Sequence, residues 1–218
     1  MRPDADIKRD VETELRFDPD IESADIAVAV KDGAVTLTGF TRSYHQKLQA
    51  ETDAKRVKGV IAVANDIEVR LPVLSQKPDP EIARDIVAAL KNELPDSFEQ
   101  IKVVVKDGWV SLEGEVEWNY QRQRAEAAIR QVRGVRHIKN AIRLRQTVAV
   151  PSEIQKRIEE ALLRSAEVDA SRITVEIDGD KVILRGKVRS WTEKEEAERA
   201  AWTAPGVLHV ENQIVLSL

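Results

Sequence analysis

The chain reads as an α+β protein built from three tandem α-β-β-α-β units, and three observations predict it. Aliphatic residues recur at helical spacing near the start of each unit. A strictly alternating run broken by an Asp-Gly turn follows, and the whole pattern repeats without a gap when the sequence is shifted by 75 and by 147 residues. Thirteen positions are identical in all three copies, among them Gly39, Gly114 and Gly186; Gly59, Gly134 and Gly206; and Asn65, Asn140 and Asn212. Most of the repeating residues are aliphatic or glycine, the types a core and a backbone require, so the repetition argues for architecture and not for chemistry.

Each element has its own signature. Ile7, Val11 and Leu15, then Ile82, Ile86 and Leu90, then Ile154, Ile158 and Leu162 give a short helix with one buried face. Asp79 before Pro80 predicts an N-cap with proline in the first helical position. Ile26, Val28 and Val30, the turn Lys31-Asp32-Gly33-Ala34, then Val35 and Leu37 predict a hairpin. The third copy moves its Asp-Gly pair by one position, to Asp178-Gly179. A second helix is expected after Gly39, capped by Ser43 with Gln46 and, in the third copy, by Thr192 with Glu195. It is expected to close at Gly59, Gly134 and Gly206. Val63, Asn65, Ile67 and Val69 form a third strand. Two helices then cover one face of a three-stranded mixed sheet, and the opposite face, which carries Val104, Ile183 and Val215, is expected to pack against a neighbour.

The domains read as residues 1–71, 78–146 and 150–218. A unit of this size buries only about 60% of its extended-chain surface, so contacts between neighbours are expected to add stability. The connecting segments from Leu71 and from Arg145 carry Val73, Leu74, Val148 and Val150, and are expected to dock.

With 42% hydrophobic and 33% charged residues, the composition is that of a soluble globular protein, and no apolar run approaches the roughly 20 residues of a membrane span. The absence of cysteine excludes disulfides, thiolate nucleophiles and cysteine metal sites. No phosphate-binding loop, nucleophile elbow, zinc-helix motif or dinucleotide fingerprint occurs. The residues therefore name no catalytic group, no metal ligand and no cofactor, and the chain reads as a non-enzyme. Of the three histidines, His45, His137 and His209, the last two occupy equivalent positions near a strand start and read as solvated side chains, not as a two-His metal site. Asn65, Asn140 and Asn212 read as groups that satisfy the backbone, and Glu51, Glu126 and Glu198 as members of i,i+4 pairs.

Charge is uneven. Residues 72–147 hold 13 Lys/Arg against 11 Asp/Glu, whereas both flanking units are acidic. Within the middle unit, Arg122, Arg130 and Arg133 fall within about 80° of one another at the 3.6-residue period. Arg136, Lys139, Arg143 and Arg145 continue the positive charge, and Trp118 and Tyr120 stand at the helix entrance, where amphipathic rings suit a headgroup layer. Arg122, Arg130, Arg133, Arg136, Trp118 and Tyr120 are the candidate contacts for an anionic phospholipid surface. The alternative is a solvated charged face on a protein-interaction scaffold or chaperone-like factor.

The hairpin from Val28 to Gly39, its copy from Val103 to Gly114, and the Gly-Val-x-x-Val-x-Asn run from Gly59 to Asn65 resemble the BON domain, a bacterial family of osmotically inducible periplasmic proteins and outer-membrane lipoproteins. The resemblance covers residues 5–217. It implies a role in envelope or osmotic stress, peripheral association with phospholipid and no enzymatic activity. As written, the amino terminus shows no export signal and reads as cytoplasmic; a leader removed before residue 1 would make the protein periplasmic. RNA-binding KH modules share a related element order, but their GXXG loop is missing, which leaves nucleic acid the weaker reading for the same arginines.

Overall fold

A computed structural model describes residues 2–145 and 151–217. The first repeat comprises α1 (Asp4–Phe17), β1 (Ile26–Lys31), β2 (Ala34–Thr41), α2 (Tyr44–Arg56) and β3 (Ala62–Val69). The second comprises α3 (Asp79–Glu93), β4 (Ile101–Lys106), β5 (Trp109–Val116), α4 (Asn119–Ile129) and β6 (His137–Leu144). The third comprises α5 (Pro151–Arg164), β7 (Ile173–Asp178), β8 (Lys181–Val188), α6 (Trp191–Ala201) and β9 (His209–Leu216). In every repeat the hairpin strands are antiparallel and the second and third strands are parallel, giving three mixed sheets. The α+β class and the repeated element order are therefore those the sequence predicts.

The helical stripes are the core. Ile7, Val11 and Leu15 are buried against Leu37 and Ile67, and the same set recurs as Ile82, Ile86 and Leu90 and as Ile154, Ile158 and Leu162. Each such aliphatic side chain contributes roughly 1.5–3 kcal/mol on leaving water.

Several local expectations need correction. Asp79 does not cap α3; Pro78 stands at the N-cap and Asp79 is already helical. Its carboxylate instead accepts from the backbone N–H groups of Asp107 (2.8 Å) and Gly108 (3.0 Å), and Asp4 holds Asp32 and Gly33 in the same way. Both turns have left-handed φ at their two central residues, 50° and 77° in the first repeat and 53° and 77° in the second. That conformation turns adjacent N–H groups toward one acceptor. Ser43 caps α2 as expected, with Gln46 reaching back to Arg42, but α6 is capped by Ser190 with Glu193, not by Thr192 with Glu195. Gly39 lies inside β2, five residues before α2 begins. The second helices stop at Arg56, Ile129 and Ala201, so Gly59, Gly134 and Gly206 close the turn that follows and not the helix itself.

The chain divides into two compact units, Met1–Leu144 and Arg145–Leu218. Within the first, the two repeats meet through Tyr44, which is 7% exposed and belongs to the core of the second repeat, with Leu48 and Val69 packed beside it. This contact lies beside β6, where the Tyr44 ring stands edge-on to His137. The open sheet face of the second repeat does not make that contact: Val104 remains 53% exposed. The first connecting segment does not dock either, since Val73 and Leu74 are 83% and 94% exposed. Val148 and Val150 lie outside the described residues.

Candidate functional site

The polar residues shared by all three repeats serve the fold. Asn65 Nδ2 donates to the Lys47 carbonyl (2.9 Å) and to the Glu51 carboxylate (3.2 Å), while its Oδ1 accepts from Ile67 N (3.3 Å). Asn140 repeats this with Arg122, Glu126 and Ile142, and Asn212 with Lys194, Glu198 and Ile214. The amide thus fastens the second helix to the edge strand. Lys47 and Lys194 add a bond from Nζ to the carbonyls of Ile67 and Ile214. Burial works against the charge on Glu51, yet Lys55 and Asn65 hold its carboxyl below the usual carboxylate range.

The structure does not gather the six candidate lipid contacts into one patch. Trp118 stands at the N-cap of α4 and is 36% exposed, and Tyr120, 53% exposed, has the Arg124 guanidinium 5.7 Å from its ring. Arg122 lends its carbonyl to Asn140. Because α4 ends at Ile129, Arg133 lies beyond the helix and its helical projection does not apply. Trp118 and Arg133 lie beyond opposite ends of the eleven-residue helix, whose rise is about 16 Å, and Arg136 lies further on. Arg130 is turned onto Glu126 at 2.8 Å, as the i,i+4 reading of Glu126 expected. Arg133 and Arg136 are exposed and make no ion pair among the described residues.

Arg136 lines a cavity of about 290 Å³ with Lys77, Asp79, Ile82 and Gly134. Lys77 is paired with Asp85, and Asp79 holds the turn. Among the described residues, no group of three or more His, Cys, Asp or Glu side chains could hold a metal ion.

Two features depart from the sequence reading, in which His137 is a solvated histidine and Asp53 is not singled out. His137 lies 4.5 Å from Trp109 and within ring contact of Tyr44, and burial, with the Lys47 charge second, pushes its pKa down. Asp53, 1% exposed, sits beside Asp18, with Gln49 Nε2 bridging the two carboxylates at 3.1 and 2.9 Å and Arg56 at 3.2 Å. Burial, reinforced by the Asp18 charge, raises its pKa to about 6. Neither had a sequence signal, because each depends on partners supplied by the tertiary contact.

The element order, the three mixed sheets and the recurrent Asn–Glu clamps define a tandem α+β repeat protein whose shared positions are structural. Each repeat matches the BON domain, at residues 3–70, 78–146 and 152–217, and the chain belongs to the BON domain family. It is 33% identical over 144 residues to osmotically-inducible protein Y of Escherichia coli (strain K12), a match covering 64% of this chain and 72% of that protein. Among solved structures, CdsD, a structural protein of the Type III secretion system of Chlamydia trachomatis, aligns over 97% of this chain and 92% of its own at 14% identity, with a TM-score of 0.29. No helix among the described residues is long and apolar enough to cross a membrane.

Proposed function

We propose that this is a non-enzymatic BON-domain protein of the osmotic-stress response that binds anionic phospholipid surfaces peripherally through its middle repeat, at the bacterial envelope. Membership of the family and the osmotically inducible relative support the stress role. The observation that carries the lipid reading is charge: residues 101–145 hold ten Lys/Arg against five Asp/Glu, and the cations Lys102, Lys106, Arg133, Arg136, Lys139 and Arg143 in that stretch are exposed. Basic side chains near an anionic leaflet contribute about 1 kcal/mol each, so a handful of them is enough for reversible association without an anchor. Arg133 and Arg136 belong to this set, with Arg122, Trp118 and Tyr120 on the helix side, whereas Arg130 is neutralised by Glu126. The half-exposed Val104 and Val215 favour a second reading, a protein-interaction scaffold that needs no lipid.

Co-sedimentation separates the two. The full chain is expected to pellet with vesicles of phosphatidylglycerol and phosphatidylcholine in equal parts and not with phosphatidylcholine alone, and to be released as salt shortens the Debye length. Equal recovery with both vesicles, or with neither, removes the lipid reading and leaves the scaffold.

A further inference from the structure

The three repeats share one scaffold but turn different chemistry outward on the sheet face away from the helices. In the first repeat the cross-strand rows of that face are Lys31, Ala34 and Ala62; then Ala29, Thr36 and Ala64; then Ala27, Thr38 and Asp66. A fourth pair, Phe40 beside Glu68, completes the face, which is small and polar near the turn and carries Lys31, Asp66 and the Arg70-paired Glu68 as its charges. In the third repeat the face is a lattice of opposite charges, in which Lys181 pairs with Glu211, Arg185 with Glu176 at 3.5 Å, and Arg185 with Gln213 at 3.0 Å. Glu211 is held there first by Lys181 and then by Gln213, which lowers its pKa.

The second repeat does neither. Its rows are Lys106, Trp109 and His137; then Val104, Ser111 and Lys139; then Lys102, Glu113 and Ala141; then Glu115 beside Arg143. Trp109 is 58% and Val104 53% exposed. Lys102, Lys106, Lys139 and Arg143 are exposed and make no ion pair among the described residues. The distribution is also polarised. Both acids of the rows, Glu113 and Glu115, lie away from the hairpin turn. At the turn end Trp109 and Val104 are flanked by Lys106 and Lys139, and the two acids near the turn, Asp107 and Asp79, lie outside these rows, with the Asp79 carboxylate taken up by the turn N–H groups.

We propose that the turn end of this outer sheet face is the surface that seats on an anionic bilayer, with Trp109 and Val104 at the headgroup boundary and Lys106 and Lys139 beside them. This rests on the lipid reading above and names the face that performs it. A flat strand pair presents its side chains in one plane, as a bilayer requires, and an indole beside lysines has both the apolar body and the positive surroundings that the interface favours. The same indole is poorly placed for stacking on nucleic-acid bases, because His137 already lies 4.5 Å away with its ring tilted by 43°. The face is opposite the helices, so a flat membrane that touches it does not touch Trp118 and Tyr120 on α4.

Two charge reversals of equal size decide between the faces. Lys106→Glu with Lys139→Glu alters the sheet, and Arg122→Glu with Arg133→Glu alters the helix side. Since each basic residue near a charged bilayer is worth about fivefold in affinity, the sheet pair is expected to lower binding to vesicles of phosphatidylglycerol and phosphatidylcholine at least tenfold more than the helix pair. Trp109→Thr, which keeps a strand-forming residue, is expected to abolish the blue shift of tryptophan emission that vesicles induce in the parent. Urea midpoints near the parent's confirm that the variants fold; if the sheet pair does not fold, Lys106→Gln with Lys139→Gln replaces it. Equal losses from both pairs, a greater loss from the helix pair, or an unchanged blue shift in Trp109→Thr overturn the sheet face while leaving lipid binding intact. A parent that pellets with no vesicle, or prefers a single-stranded RNA to vesicles, overturns both.

Discussion

The first two repeats close their hairpins with a carboxylate from the preceding helix, and the third does without one. Asp4 and Asp79 each catch two consecutive turn N–H groups, and both turns carry Asp-Gly with left-handed φ at both residues. At the equivalent position the third repeat has Pro151, which offers no acceptor, and its turn is Gly179-Asp180 with positive φ only at the glycine, 63°. The two changes belong together. An aspartate at left-handed φ is tolerated where its turn is held from outside, and without that hold glycine moves to the first central position, the arrangement of a II′ turn. Turn sequence and helix start, 28 residues apart, are therefore one device.

The largest effect is expected where the three repeats do not differ. A Cβ on Gly114 would fall 2.0 Å from the Gln100 carbonyl oxygen, and one on Gly39 or Gly186 would meet the oxygen of Asp25 or Arg172 at the same 2.0 Å. Gly114 also sits at φ +134°, a region essentially closed to residues with a side chain. Gly114→Ala is expected to destabilise the first unit by about 3 kcal/mol or more, and Gly186→Ala to do the same to the second. Urea unfolding of each variant checks this. A loss in one repeat and none in the other would mean that the strand crossing is not equivalent after all.

Asp79→Ala comes next, at about 1–2 kcal/mol, for the loss of a charged acceptor serving two N–H groups. Pro151→Ala, which removes no acceptor, is expected to stay within about 0.5 kcal/mol. Amide exchange sharpens the contrast. Protection of Asp107 and Gly108 should fall in Asp79→Ala, and similar exchange in variant and parent would show that the turn holds itself.

The fold was legible because its signals are local. A helical stripe such as Ile82, Ile86 and Leu90, or an alternation such as Val28 and Val30, needs only neighbours within one element to be recognised. Asp79 misled because an aspartate before proline has a local use as a cap, and nothing local shows that its carboxylate turns to a hairpin 28 residues on. Tyr44 was silent for a related reason: it opens a mostly polar helix, and the core that buries it belongs to the next repeat. The candidate site suffered most. A helical projection joined Arg122 to Arg133 across a helix that stops at Ile129, while Lys106 and Lys139, 33 residues apart, come to one face only through strand register. Periodicity reads single elements well and cannot read the face of a sheet whose third strand arrives after a helix.

The smallest effect concerns two histidines at equivalent positions, His137 and His209. His209 is exposed at the start of β9, facing Lys181 across the strands. His137 is half-buried between Trp109 and Tyr44, where burial and then the nearby Lys47 ammonium disfavour its charged form. A lowered folded-state pKa means that the unfolded chain takes up the proton first, near the ordinary 6.5. The stabilisation is therefore complete above that value and is lost as pH falls through the folded value beneath it. Acidification toward about pH 5 is expected to weaken the seat of Tyr44, and with it the coupling of the first two repeats, without touching the third. Carboxylates titrate in the same range, so the slope of stability against pH in the parent is set against that of His137→Phe, which keeps an aromatic ring in place and cannot take a proton. The parent is expected to lose more of the first unit's stability over this interval than His137→Phe does. Identical slopes would show that the imidazole titrates without consequence and that the two repeats are joined by Tyr44 packing alone.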